Sequence, residues 1–125
     1  MITTREQGQY TENLACEFLK KKGLKLVEKN FNSRLGEIDL IMKNNDTLVF
    51  VEVRYRKSNN FGSAAESVTA NKQKKLIRTA SLYLQQHAKL LKQPARFDVV
   101  SITGAIESND IDAINFDWIE NAFGA

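Results

Sequence analysis

The stretch that decides the fold is Gly36-Glu37-Ile38-Asp39-Leu40-Ile41, followed shortly by Leu48-Val49-Phe50-Val51-Glu52-Val53-Arg54. Each half is an apolar run of strand type, and Asn44-Asn45-Asp46 between them has the composition of a tight turn, so the pair reads as a β-hairpin. Carboxylates are set into both runs. Asp39 and Glu52 therefore fall on neighbouring strands, where an unpaired buried carboxylate is costly. Period-two alternation puts Phe50, Glu52 and Arg54 on one face of the second strand and Val49, Val51 and Val53 on the other. The same rule groups Glu37, Asp39 and Ile41, and the two polar sets line one side of the hairpin if the register pairs those faces.

Working outward, the spacing predicts a helix over residues 5–22. Thr3 with Glu6 three residues later fits a capping box, and Gly23 suits the position past the C-terminus. Tyr10, Leu14, Ala15, Phe18 and Leu19 recur at helical spacing and are expected to face the core. Glu12 falls about 20° beyond Leu19 on a helical wheel, at the edge of that face. It is either a plain surface residue or one that reaches toward a site at the margin of the sheet.

Strands are expected over residues 24–31, 35–42 and 47–55, with Asn32-Ser33-Arg34 as a turn. Residues 56–67 read as a polar, mobile loop. A second helix is predicted over residues 70–91, capped by Thr69 and closed by Pro94, with Leu76, Ile77, Ala80, Tyr83, Leu84, Ala88 and Leu91 as its apolar stripe. Residues 96–103 read as a fourth strand, Gly104 as a turn, and residues 115–123 as a short element of undecided type. The order is αβββαβ with a mixed sheet flanked by helices, an α/β class, within one domain spanning residues 1–125.

Hydrophobic residues make up 42% and charged residues 26% of the chain, ordinary values for a soluble globular protein. No apolar run approaches the roughly 20 residues that span a bilayer, and the polar first ten residues lack a signal-peptide core. With Cys16 as the one cysteine, neither an internal disulfide nor a thiol-rich zinc site is available. A cytoplasmic protein that does not enter membranes is the expectation. The net charge of +3 is unevenly spread. Arg54, Arg56, Lys57, Lys72, Lys74, Lys75 and Arg78 cluster after Glu52, whereas the residues after Arg96 include acidic side chains and no basic one. Clustered positive charge beside carboxylates is what a phosphodiester-binding surface requires, although a solvated helix face with a charged loop gives the same pattern.

Hard divalent cations such as Mg²⁺ take oxygen ligands, typically one or two carboxylates plus water and substrate phosphate. Such a metal polarises the phosphate and lowers the pKa of a bound water, supplying the nucleophile for hydrolysis. Asp39 and Glu52 suit that role. The alternative is a pair of edge-strand carboxylates satisfied by Arg34 or Lys25. Lys72 lies in the first turn of the second helix, about 40° from Leu76, so it borders the buried face, whereas Lys74 and Lys75 point further outward. Arg34, Arg56 and Lys57, in the turn or loop flanking the site, are candidate phosphate contacts that position a duplex without reading its sequence. Tyr55 and Phe61 serve either to stack on bases or to pack the core and anchor the loop. His87 has no second histidine to work with, and Ser33, Ser58 and Ser63 have no histidine partner nearby, so a serine-hydrolase reading has no support. No Gly-rich phosphate loop is present.

The pattern Gly36-Glu37-Ile38-Asp39-Leu40-Ile41, Phe50-Val51-Glu52-Val53-Arg54, Ser67-Val68-Thr69 with Lys72, and Arg96-Phe97-Asp98-Val99-Val100 resembles the YraN-like family of bacterial proteins. That family is similar to the PD-(D/E)XK nuclease superfamily, especially archaeal Holliday-junction resolvases. The resemblance covers nearly the whole chain and implies a restriction-endonuclease-like core. Asp39 matches the superfamily's first acidic motif position, Glu52 the acidic residue of its E-X-K motif, and Glu12 an N-terminal helix glutamate that assists metal binding. Arg54 stands where lysine is usual. Arginine stays charged and cannot act as a general base, though it can stabilise negative charge on a phosphoryl transition state. Lys72 or Gln73 then takes the place of the catalytic lysine, or Lys72 packs its stem on the sheet and contacts phosphate or solvent.

The resemblance therefore implies a metal-dependent endonuclease-like protein acting on DNA, including branched or irregular structures. Mg²⁺ or Mn²⁺ would be held by Asp39, Glu52 and Glu12, and a homodimer is implied. Two other classes fit the same residues: a nucleic-acid-binding module that keeps the fold without catalysis, and a protein-interaction domain within a DNA-processing complex.

Overall fold

In the computed structural model, which describes residues 3–56, 68–106 and 111–124, a helix α1 (Thr4–Lys21) precedes three strands, β1 (Lys25–Ser33), β2 (Gly36–Asn44) and β3 (Thr47–Arg56). A second helix, α2 (Ala70–Gln86), leads to β4 (Ala95–Gly104) and β5 (Ile114–Phe123). The five strands form one mixed sheet in the order β1-β2-β3-β4-β5. β3 and β4 run parallel, and every other neighbouring pair is antiparallel. A parallel step needs a crossover connection, and α2 provides it. The expected αβββαβ order is present, and the stretch of undecided type is β5.

Alternation along the strands sends side chains to two cores. Leu40, Met42, Val49, Val51, Val100 and Ile102 bury against Ala15, Cys16 and Leu19 of α1. Ile41, Leu48, Phe50 and Val99 bury against Leu76, Ala80 and Tyr83 of α2. The helices thus cover opposite faces. No helix among the described residues is long and apolar enough to cross a membrane.

The helix ends are built as their residue types require. Thr3 Oγ1 accepts the Glu6 N–H at 3.1 Å and donates to Glu6 Oε1 at 3.1 Å, a reciprocal cap. At the other end Gly23 takes φ +99, and the N–H groups of Gly23 and Leu24 donate to the carbonyls of Lys20 and Leu19. Gly36 opens β2 at φ +148, and a Cβ there would sit 3.1 Å from Thr79 Oγ1, so a glycine lets α2 lie close to the start of this strand.

Three expectations are corrected. Tyr10 is 40% exposed, and the buried position on that part of α1 is Thr11. α2 stops at Gln86 rather than continuing toward Pro94. The His87 ring Nδ1 donates to the Tyr83 carbonyl at 2.8 Å, the acceptor that its own backbone N–H would use in a continuing helix, and that N–H turns instead to Leu84. A short 3₁₀ turn, Ala88–Leu90, follows, leaving Ala88 and Leu91 exposed instead of on the stripe. The predicted mobile loop lies, from residue 57 to residue 67, outside the described residues.

Candidate functional site

β2 and β3 stay paired from Asn44↔Thr47 to Leu40↔Val51. One step further, where Asp39 and Glu52 would face each other, the ladder stops. There the Val53 N–H donates to Asp39 Oδ2 at 2.9 Å, so a side-chain carboxylate accepts a bond that the backbone has released. The alternation breaks at the same point. Ile38 and Ile41 both pack on the α2 side, so the predicted grouping of Glu37, Asp39 and Ile41 on one face does not hold. Strict periodicity fails where a strand parts from its partner.

The parted strands open a cavity of about 320 Å³ between the first half of α1 and the start of α2. Glu12, Asp39, Glu52, Arg54 and Lys72 all line it. Five residues drawn from four separate elements therefore meet in one place. Asp39 and Glu52 are 8% and 4% exposed, values rare for charged groups without compensation. Glu12 is half-buried, on the side of α1 that turns to the sheet.

Glu52 is compensated by cations. Lys72 Nζ lies 2.6 Å from Glu52 Oε2, and Arg54 Nη1 lies 4.0 Å from the same atom. Local structure sets Lys72 there. Thr69 caps α2 by accepting the Lys72 N–H at 3.2 Å, which fixes the backbone from which the side chain springs. The Arg34 or Lys25 partners considered from sequence are replaced by Lys72 and Arg54. Glu52 Oε2 is buried and makes no hydrogen bond of acceptable geometry among the described residues, so its contact with Lys72 is an ion pair without a well-directed bond.

Among the described residues Asp39 has no ion pair of its own. Burial first, then the charge and hydrogen-bonding contact of Glu52, push its carboxyl up to about 9, against the pull of the Val53 N–H. Two buried carboxyls this close do not both ionise readily, which keeps the Asp39 carboxyl raised. Glu12 is raised as well, chiefly by burial and further by the charges of Glu37 and Glu52, while hydrogen bonds with Asp39 and Asn30 act the other way. Asn30 occupies the left-handed region at φ 54, a conformation that asparagine tolerates better than most residues. It is a site residue that sequence reading missed. Its signal was an asparagine in the middle of an otherwise strand-like run.

Among the described residues no three His, Cys, Asp or Glu side chains are already arranged to hold a metal ion. The donor chemistry nonetheless suits one. All the candidate ligands are carboxylate oxygens, the preference of Mg²⁺ and Mn²⁺. Among the described residues Glu52 Oε2 has no directed hydrogen bond, and the Asp39 carboxyl is pushed up chiefly by burial and further by the neighbouring Glu52, a repulsion that a divalent cation would relieve. The residues that would hold the ion are Asp39 and Glu52, with Glu12 in support.

The remaining predicted residues disperse. Arg34 is exposed in the turn between β1 and β2 and does not line the cavity. Arg56 ends β3 opposite Thr103, also away from the cavity lining. Lys57 and Phe61 lie outside the described residues. Gln73 donates to the Val68 carbonyl at 3.0 Å, so Lys72 is the α2 residue that reaches the carboxylates. Tyr55 lines the cavity, but its hydroxyl donates to the Gly104 carbonyl at 2.6 Å and its ring packs on the α1 core, which supports the packing role. Cys16 is fully buried. Asp98, also fully buried, receives Arg96, the Trp118 indole N–H and the Asn121 N–H, a saturated structural set.

The fold and site define an α/β protein whose mixed sheet parts at one end to expose a buried carboxylate pair between two helices. Residues 11–102 match the family described as uncharacterised protein family UPF0102, and the chain belongs to that family. It is 46% identical to a UPF0102 protein of Stutzerimonas stutzeri over 123 residues, covering 98% of each chain. A UPF0102 protein of Legionella pneumophila is 47% identical over 122 residues, again covering 98% of each. The YraN-like resemblance read from the motifs is thereby borne out. The matched family segment runs from α1 to β4 and so contains Glu12, Asp39, Glu52, Arg54 and Lys72.

Proposed function

We propose that this chain is a metal-dependent phosphodiesterase of the endonuclease type acting on DNA, including branched or irregular structures. The observation that carries the reading is the meeting of Glu12, Asp39 and Glu52 with Lys72 and Arg54 in one open cavity. A bound Mg²⁺ or Mn²⁺ supplies Lewis-acid polarisation of a phosphoryl oxygen and a more acidic water. Asp39 and Glu52 serve as its principal ligands. The Val53 N–H holds Asp39 Oδ2 in place, so the carboxyl is preset rather than free to rotate. Arg54 and Lys72, both partly exposed, offer positive charge to a phosphodiester entering from solvent and to the charge that develops on it. Arg54 offers a planar, permanently charged guanidinium, whereas Lys72 offers a compact ammonium on a flexible stem.

The test is cleavage of end-labelled linear, flapped and four-way DNA with Mg²⁺ or Mn²⁺, comparing wild type with Asp39→Ala and Glu52→Ala. Metal-dependent cleavage lost in both variants supports the reading, and unchanged cleavage in both removes these residues from the chemistry. A second reading, a DNA-binding module without catalysis, is favoured by Arg54 in the lysine position. It expects salt-dependent binding of the same substrates with no cleavage under any metal.

A further inference from the structure

The cation beside Glu52 is open to solvent in a way that the buried carboxylates are not. The Lys72 side chain is 44% exposed, whereas that of Glu52 is 4% exposed. Its ammonium is held by charge at 2.6 Å, without a well-directed hydrogen bond to Glu52 Oε2. Lys72 also lines a second cavity of about 360 Å³ on its other side, which it shares with Glu37, Asn71 and Lys75. The ammonium therefore has somewhere to go, and the Glu37 carboxylate there offers it another partner.

We infer that Lys72 is a displaceable internal counter-ion, which competes with a divalent cation for Glu52 and so sets the metal concentration at which the carboxylate cavity fills. This rests on the metal-binding reading above. An ammonium and a divalent cation repel each other strongly when both press on one carboxylate oxygen in a poorly solvated cavity. Filling the site must then expel the ammonium from its contact with Glu52. The expelled ammonium turns toward the second cavity, beside the entry path of a phosphodiester. Arg54, at 4.0 Å and partly exposed, contributes a weaker form of the same competition. A lysine that served only to support the fold would lower metal affinity when removed, or leave it unchanged. Removing a competing lysine raises it.

The experiment is calorimetric titration of Mn²⁺ alone into wild type, Lys72→Met, Lys72→Arg and Asp39→Asn at fixed pH and ionic strength, with melting temperatures measured in parallel. Lys72→Met is expected to bind Mn²⁺ about tenfold more tightly than wild type, within the usual range of coupling between sites. Lys72→Arg keeps the charge and stays near wild type, and Asp39→Asn loses binding. Without metal, Lys72→Met melts lower, because Glu52 is left buried beside a weaker cation, and it gains more from Mn²⁺ than wild type does. Lys72→Gln supplies the same comparison if Lys72→Met does not fold. Equal or weaker Mn²⁺ binding in the neutral variants, with Asp39-dependent binding intact in wild type, overturns the inference and leaves the metal site standing. Absence of Mn²⁺ binding in wild type and in the Lys72 variants overturns both.

Discussion

The Val53 N–H donates to Asp39 Oδ2 at 2.9 Å, at the step where the β2–β3 ladder ends. One bond thus does two things: it satisfies a backbone donor on a parted strand, and it fixes the carboxyl that faces Glu52. An amide oxygen can accept the same bond, which separates the structural part of Asp39 from its charge.

Asp39→Asn should therefore stabilise the metal-free protein above acidic pH while abolishing metal binding. The sign follows from the raised pKa. Well below its ordinary 3.8 the carboxyl is protonated in folded and unfolded chains alike. Between its ordinary 3.8 and about 9 the unfolded chain releases the proton and the folded chain keeps it, so the contribution of this group to stability falls as pH rises through that window. The slope from one group is at most about 1.4 kcal/mol per pH unit. Urea denaturation at pH 5, 7 and 8.5 should show the decline in wild type and a flatter profile in Asp39→Asn. Equal slopes would mean that Asp39 ionises normally in the folded chain.

Metal binding should release protons. A divalent cation favours the ionised carboxyl, so Mn²⁺ affinity is expected to rise as pH increases toward 9. Titrations in two buffers of different ionisation enthalpy would count the protons released, and a heat signal independent of buffer would contradict the prediction.

Thr69→Ala removes the hydroxyl that caps α2 through the Lys72 N–H. About 1 kcal/mol of stability should be lost, the typical value of an N-cap. Because Lys72 is also the first-turn residue that meets Glu52, its side chain loses a fixed base, and Mn²⁺ affinity is expected to shift along with the melting temperature. Thr3→Ala, which removes the α1 cap, should cost about the same in stability.

Asp98→Ala is predicted to be among the most damaging single changes outside the site. It strips a fully buried carboxylate from Arg96, the Trp118 indole and the Asn121 N–H, leaving a largely buried cation without that partner; breaking a buried pair in this way costs about 3–5 kcal/mol. Trp118 is the one tryptophan of the chain, so its fluorescence reports on this corner directly. Asp98→Asn should lose less, since its amide can still accept a bond.

If DNA binds at the cavity, Lys75→Ala should weaken binding uniformly across sequences and reduce the salt slope by about 0.9 for each phosphate contact removed. Lys75 lines the cavity beyond Lys72, so it probes the approach to the site without touching the carboxylates. Filter binding across a salt series would measure it, and an unchanged slope would place the DNA elsewhere.

Much of this was readable in the chain. Asn45 turns the hairpin at φ 55, as its turn composition indicated, Thr3 and Thr69 cap the helices with their hydroxyls, and Gly23 ends α1 at a positive φ that a glycine adopts freely. Each of these depends on neighbours within a few residues, which periodicity and capping chemistry describe well. Tyr10 shows the limit. Its spacing matched the buried stripe, yet the sheet beneath α1 accommodates Thr11 instead, and no local pattern encodes which flank of a helix its partner covers.

By itself the sequence determined the αβββαβ order, the mixed sheet and the proximity of Asp39 to Glu52, because hairpin pairing joins residues close in the chain. Tertiary structure alone decided that Glu12 from α1 and Lys72 from α2 complete the cavity, that Arg34 does not line it, and that the ladder opens at Asp39. Helical spacing gives the face on which a side chain lies. The distance between an ammonium on one helix and a carboxylate on a strand is fixed only when both pack on the same sheet, and that distance governs how the site's charges share their protons and cations.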